Sequence, residues 1–492
     1  MATPLAPNGN PVRVGDVTLR TPGLAGQAES RPPAAPDTRA AELTTEALET
    51  ALAGSAVEPF RSIEIAGARE VEVPAGSVTR STALGEDAIE ITVPDAGDGW
   101  GQFLLASDES GVVTWNFPVD EANRLDVTRG AATRTYVVRR FVSVPEESPA
   151  TRGLVGAIGK KLLKVLVFPL IDPIIGEVGD FFAARWETKN RPYRFRTFTP
   201  EDYMSPAGRD LEGGDWAKLS VGRALLMIHG TFSRAHTAFG ALPVDFVREL
   251  HRRYEGRVFA FDHFSLSDDP RQNVEWFFDH VPDGTRLDVD VICHSRGGLV
   301  ARTLAEREAE FSLGRRDLTV RRVVFVAVPN AGTVLADTKH MGDFIDTYTS
   351  LLNFLPDNGV TEIFEAIVTV AKQLAVGALK GLEGLQAMLP RGEFLQGLNA
   401  GDKDEKRYFA LAANFEPTVP GWKSYTADRL LDKIFEQADN DLVVPTLGVY
   451  DKNGSGFFPI EDRLVFGKGD GVAHPGFFGQ ARAQEKMLEW LG

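Results

Sequence analysis

The sequence predicts an α/β fold over residues 216–492, with a mainly parallel central sheet, and a smaller β-rich domain ahead of it. Three observations predict this. After Asp215, strands of buried type alternate with helical stretches: ALLMIHG, PVDFVRELHRRY, RVFAFDHF, DVDVICHS, GGLVARTLAEREAE and RRVVFVAVP follow one another. Apolar runs with helices between them are the pattern of a parallel sheet covered on both faces. Upstream, from Ser62 to Val142, apolar residues alternate with polar ones in short runs, as at Ile63 and Ile65 or at Ile89, Ile91 and Val93. Period two at that spacing, punctuated by DAGDG and SDESG, predicts a small antiparallel β domain. Finally, 492 residues exceed what one compact core organises.

In chain order, residues 1–55 read as a flexible tail and a short helix. The first forty are rich in Pro, Ala, Gly and Thr and end in RPPAAPDTR, a composition that buries little, and AELTTEALETAL follows with helical character. Residues 56–147 are the β-rich domain, and residues 148–215 a helical linker region. That linker is unusually apolar, with Lys160, Lys161 and Lys164 near its start. Two readings stand: a helix pair packed between domains, or a segment making transient contact with a membrane or other apolar surface. Pro169 and Pro173 interrupt any single interfacial helix, and LLKVLVFPLIDPIIG is too short and broken to span a bilayer.

Composition excludes several classes. Against 53 Lys and Arg stand 69 Asp and Glu, a formal charge of −16 that argues against nucleic acid as partner. One Cys makes no intramolecular disulfide and no Cys-rich metal site, so no metal and no cofactor is expected. The first residues carry no apolar run flanked by basic ones, which sets a cytoplasmic expectation. All eight His lie at or beyond His229, so any imidazole chemistry belongs to the C-terminal half.

The informative stretch is Val291-Ile292-Cys293-His294-Ser295-Arg296-Gly297-Gly298. An apolar strand runs into a Ser with Gly two positions later, and a helix starts at once, the context of a nucleophile elbow. The turn is tight enough that residues two before and two after the Ser must be small; the usual first Gly is here Cys293. The helix offers its positive end, and the Arg296 N–H points where an oxyanion would form. Upstream, a strand ends in His229-Gly230-Thr231. Downstream come VPNAGT from Val328, NDLVVP from Asn440 and AHPGFF around His474, the last before a closing helix.

Together, MIHGT, CHSRGG, VPNAGT, NDLVVP and AHPGFF make residues from about 220 to 492 resemble a bacterial lipase- or esterase-like α/β-hydrolase. The resemblance implies an α/β-hydrolase fold with a helical lid insertion at about 334–400. It implies a catalytic triad of Ser295, Asp441 and His474, and an oxyanion hole at Thr231 and Arg296. His229, Gly230, His294 and Gly297 support these motifs. Chemistry asks for the same residue types: a Ser hydroxyl needs an adjacent imidazole, and the imidazole a carboxylate. His294 should diverge from the hydroxyl, His229 holds the oxyanion loop, and His236, His251, His263 and His280 precede the elbow. His340 lies in the insertion, leaving His474. Asp439 competes with Asp441 for the acid.

In the insertion, Ile363, Phe364, Ile367, Val370, Ala371 and Leu374 recur at helical spacing. As a cap, with Phe344, Phe354 and Phe364, it would favour a small-molecule or lipid-like apolar ester; as a permanently buried layer it would only pack. The expected function is a serine carboxylic-ester hydrolase. Alternatives are an acyltransferase or an amidase or peptidase on the same triad, and a non-catalytic interaction protein on a hydrolase scaffold.

Overall fold

The structure, a computed structural model, describes residues 2–31, 42–71, 88–108, 112–119, 133–139, 157–158, 161–352, 359–400, 407–416, 435, 438–451 and 459–492. Its first residues correct the expectation of a flexible tail, because they form strands β1 (Thr3–Pro4), β2 (Val12–Val14), β3 (Val17–Arg20) and β4 (Leu24–Arg31). Val14 pairs with Val17 across the two-residue turn Gly15-Asp16, where Gly15 supplies a φ of 67°. Val14, Val17, Leu19, Leu24 and Ala28 are buried, so a Pro/Gly-rich stretch still presents an alternating apolar face.

Helix α1 (Glu42–Gly54) precedes β5 (Glu58–Glu70), β6 (Ala88–Pro94), β7 (Trp100–Asp108), β8 (Val113–Asn116), β9 (Thr133–Arg139), β10 (Ala157–Ile158) and β11 (Lys161–Pro169). Two antiparallel sheets result. One has the order β1-β4-β5-β11-β7-β8, with β10 also on β5, and the other is β2-β3-β6-β9. Leu19, Ile63, Ile65, Ile91, Leu104, Tyr136, Leu163 and Val165 fill the space between them. Strand β11 corrects the helical reading of 148–215: Lys161–Pro169 is a central strand between β5 and β7. Leu163 and Val165 point into the sandwich, while Leu166 and Phe168 join the core on its other face. A strand buried on both sides is continuously apolar, which hides its period of two.

After the hairpin β12 (Ile171–Asp172) and β13 (Gly176–Glu177) comes α2 (Phe182–Asn190). The second half is built on β14 (Arg194–Thr197), α3 (Gly213–Leu219), β15 (Arg223–Ile228), α4 (Ala235–Ala238), α5 (Val244–Arg253), β16 (Val258–Asp262), α6 (Pro270–His280), β17 (Arg286–His294), α7 (Gly297–Glu306) and β18 (Asp317–Val326). It continues through α8 (Met341–Leu351), α9 (Val360–Ala375), α10 (Glu383–Gln386), α11 (Glu393–Ala400), β19 (Arg407–Ala413), β20 (Ile460–Phe466) and α12 (Ala481–Leu491). The seven strands order as β14-β16-β15-β17-β18-β19-β20, parallel except β14, which runs antiparallel to β16. Because β14 belongs to this sheet, the unit starts before residue 216. Leu225 and Met227 face one side of β15 and Leu226 and Ile228 the other, each side in its own core. The chain moves from β15 to β16 on one side and then to β17 on the opposite side. A crevice therefore opens at the carboxyl ends of β15 and β17, where open α/β sheets bind ligands.

The inserted helices α8 and α9 lie between the two halves. Phe344, Ile345, Tyr348 and Leu351 of α8 and Ile363, Phe364, Ile367 and Val370 of α9 are all buried. The β8 residue Trp115 donates its backbone N–H to Asp346 Oδ1 (2.6 Å) and its indole N–H to Thr349 Oγ1 (2.8 Å). Lys372 on α9 pairs with Asp172 at 3.1 Å, and the Ala183 N–H donates to Gln373 Oε1 at 3.1 Å. Phe354 lies outside the described residues. Among them, no helix is long and apolar enough to cross a membrane.

Candidate active site

Strand β17 delivers Ser295 to the crevice in a left-handed conformation, φ 52°. The turn is held by the Ser295 N–H donating to the Val326 carbonyl at 2.9 Å and the Gly298 N–H donating to the Ser295 carbonyl at 2.9 Å. Sterics explain the glycine: a Cβ on Gly297 would sit 2.1 Å from the His229 carbonyl oxygen. On the other flank Cys293 is accommodated inside the sheet, its thiol against the Val324 carbonyl at 3.4 Å and its pKa pushed up by burial. Phe232, Ala327 and Leu442, all beside the crevice, also hold positive φ (60°, 53° and 80°). Such strain persists only where surrounding structure imposes it, and it gathers at functional sites.

The three residues expected to work together meet here. His474 Nε2 stands 2.9 Å from Ser295 Oγ, and His474 Nδ1 stands 2.8 Å from Asp441 Oδ2. The other carboxylate oxygen of Asp441 accepts the backbone N–H groups of Val443 (3.0 Å) and Val444 (2.7 Å). The apolar LVVP run thus turns its amides onto the acid, and the carboxylate is fixed on one edge by backbone and on the other by imidazole. All three side chains are buried. Asp439, the competitor, makes no contact with His474; its carbonyl accepts the Thr446 N–H.

His294 diverges from the serine hydroxyl, as expected, but its ring returns to the site. Nε2 donates to the His474 backbone carbonyl at 3.1 Å, so His294 braces the loop that carries the imidazole. This tautomer is assigned from the hydrogen bond. Burial first, and the neighbouring His474 second, push its pKa down to about 3, keeping the ring neutral. His229 is likewise held at about 3 by burial; its Nδ1 faces the Gly230 carbonyl at 2.9 Å and its Nε2 accepts the His263 N–H at 3.1 Å. The two rings stack at 4.2 Å. His236, His251 and His340 bond to Glu362, the Phe198 carbonyl and Asp343 respectively, away from the serine.

Gly230 packs directly on the elbow, its absent Cβ 2.7 Å from Ser295 Cβ. Next to it Thr231 is buried and lines the cavity beside His474. Arg296 opens α7, and its guanidinium is wholly buried: Nε donates to the Gly384 carbonyl (2.6 Å), and a terminal nitrogen to Asn273 Oδ1 (3.0 Å). Among the described residues, neither the Thr231 nor the Arg296 amide donates to a backbone carbonyl. Two buried N–H groups free of such bonds are what an oxyanion needs.

One participant has no signal in the motifs. Tyr348, on α8, sets its ring edge-on to His474, at a centroid distance of 5.9 Å. It lines a cavity together with Thr231, His294 and His474 and with the apolar side chains of Leu351, Leu352 and Ile363.

Residues 190–492 match a family described as a domain of unknown function, DUF7379. The chain belongs to this family. No curated protein matches the DUF7379 chain. Solved structures are similar to it remotely. Lipase BlEst2 of Bacillus licheniformis shares 14% identity over 54% of this chain and 91% of its own, with a TM-score of 0.34. Lipase 1 of Pelosinus fermentans shares 12% identity over 54% and 98%, TM-score 0.35, and EstA of Clostridium botulinum 13% over 59% and 97%, TM-score 0.38. At such scores the chemistry of the DUF7379 chain has to be argued from its own residues.

Proposed function

We propose that this DUF7379 protein is a serine hydrolase of carboxylic esters, built on an α/β-hydrolase fold and acting through an acyl-enzyme. The observation that carries the reading is the continuous relay from Ser295 Oγ through His474 to Asp441, at 2.9 and 2.8 Å. In this reading His474 Nε2 takes the serine proton as Oγ attacks the ester carbonyl, and returns it to the leaving alkoxide. Asp441 holds Nδ1–H toward itself and so keeps Nε2 as the acceptor. Charge on the former carbonyl oxygen is met by the Thr231 and Arg296 N–H groups. The apolar side chains that line the cavity, Leu351, Leu352 and Ile363, take the acyl chain, bound by its removal from water. Water or another alcohol then accepts the acyl group.

The insertion is read as a fixed roof over this site rather than a swinging lid. Its helices are buried against both halves and tied to the N-terminal sheet by hydrogen bonds from Trp115. A fluorophosphonate probe tests the function. Labelling of the wild type that disappears in Ser295→Ala, together with hydrolysis of p-nitrophenyl esters, is the expected result. A wild type that is neither labelled nor active on an acyl series from acetyl to palmitoyl would refute it.

A further inference from the structure

We propose that Thr333 is a positioning residue for the catalytic acid: its hydroxyl fixes the peptide plane whose N–H holds Asp441 in line with His474. The inference rests on the ester-hydrolase reading and goes beyond it, since it gives the VPNAGT stretch, which supplies no member of the triad, a part in the chemistry.

The Thr333 side chain is buried beyond β18, and its Oγ1 donates to the Val443 carbonyl at 2.6 Å. That carbonyl shares one rigid peptide plane with the Val444 N–H, and across a trans peptide the two point opposite ways. The Val444 N–H donates to Asp441 Oδ1 at 2.7 Å, and the other carboxylate oxygen faces His474 Nδ1 at 2.8 Å. One line of hydrogen bonds therefore runs from the threonine hydroxyl through a single peptide to carboxylate, imidazole and Ser295 Oγ. Hydrogen accounting agrees with this direction. Thr333 has one hydroxyl proton, spent on Val443, and its oxygen accepts the Leu335 N–H at 3.4 Å. Bonds in such a chain polarise one another, so the amide that meets Asp441 is both better aimed and a stronger donor.

The acid loop needs an outside restraint. Between Asp441 and its amides, Leu442 sits at a positive φ of 80°, a conformation a leucine keeps only when its surroundings impose it. The VPNAGT stretch grips this loop at two further points: the Ala331 N–H donates to the Gly448 carbonyl at 2.9 Å, and Asn330 Nδ2 to the Val449 carbonyl at 2.7 Å. Asn330 is itself held by the buried Arg302 of α7, which donates to its Oδ1 at 3.2 Å, and by Asn399, which donates to its carbonyl at 2.9 Å. Helix α7 starts at the elbow, so nucleophile and acid are referred to the same rigid element.

The test uses the full chain with p-nitrophenyl butyrate, each rate expressed per site titrated with a fluorophosphonate. Thr333→Val keeps the shape and removes the donor; kcat per site should fall roughly ten- to a hundredfold, with KM within about a factor of two. A threonine that only stabilised the fold would lower the number of titratable sites and leave the rate of each unchanged. Thr333→Ser keeps the hydroxyl and should run within about threefold of the wild type. Added to Asp441→Asn, which leaves no carboxylate to aim, Thr333→Val should cost less than about a further factor of two. Should Thr333→Val yield no folded protein, Thr333→Cys, with a weak thiol donor of similar size, carries the same expectations. Wild-type kcat per site in Thr333→Val, a Thr333→Ser enzyme as slow as Thr333→Val, or simple additivity with Asp441→Asn overturns the inference. Activity that vanishes in Ser295→Ala but persists in full in Thr333→Val would overturn this inference alone. A wild type that neither turns over nor labels would overturn the ester-hydrolase reading with it.

Discussion

Replacing Asp441 by asparagine changes one atom and should remove almost all activity, for a reason visible in the hydrogen bonds. One edge of the carboxylate accepts two backbone N–H groups, from Val443 and Val444. Only an oxygen can stand there, so the substituted amide must place its carbonyl toward those N–H groups and its NH2 toward His474. His474 Nδ1 would then accept a hydrogen bond, its proton would move to Nε2, and Nε2–H would face Ser295 Oγ. The base would be spent before the reaction began. Loss of the correct tautomer in a serine triad is worth about 10⁴ in kcat, or roughly 5.5 kcal/mol of barrier. Folding should change little, because the Val443 and Val444 N–H groups keep their acceptor and the imidazole keeps a partner. Asp441→Ala would instead strand two buried N–H groups and the imidazole, at about 1–3 kcal/mol each. Ester hydrolysis under saturating substrate, beside a thermal melt, measures both. Asp441→Asn retaining a tenth or more of wild-type kcat would refute the assignment of Asp441 as the residue that orients His474.

Two further outcomes follow from packing and burial. His229 and His294 are held neutral, near pKa 3, and each takes up a proton on unfolding below its ordinary value of 6.5. The unfolded state binds more protons there, so stability rises with pH and is lost from about 6.5 downward, on the order of 2 kcal/mol per histidine by pH 5. Urea unfolding at pH 7 and pH 5 reads this directly, and an unchanged free energy would contradict it. Gly297→Ala would press a methyl onto the His229 carbonyl at 2.1 Å, backbone against backbone. It should lower stability by about 3 kcal/mol or more and abolish ester turnover, whereas an unchanged melting temperature with full activity would show that the elbow is looser than described.

The elbow and its partners were legible because each lies where a strand gives way to a turn, and such junctions demand particular residues. Gly230 and Gly297 occupy approaches that no Cβ survives, and Asp441 precedes the amides that hold it. What escaped was structure whose cause lies far along the chain. Lys161–Pro169 reads as helical in isolation because both its faces are covered, one by the partner sheet and one by the central core. The first thirty residues were averaged into a tail, although V-R-V-G-D-V-T-L spells a hairpin with Gly at the turn. Tyr348 had no local signature: nothing in MGDFIDTYTSL says which of its residues meets His474. That depends on Trp115, which no short window includes.

The Trp115 contacts also set a timetable for the nascent chain. They join residues 231 and 234 positions apart. At roughly 5–20 residues per second, the ribosome needs on the order of 10–50 s to deliver α8 after strand β8 has emerged. Once β11 completes the N-terminal sheet within that interval, Phe103, Trp115 and Phe168 lie on a face without its eventual cover until α8 and α9 follow, a surface that chaperones bind and that aggregates form from. Expression temperature and translation speed should therefore govern the soluble yield of this protein more strongly than the stability of the finished fold does.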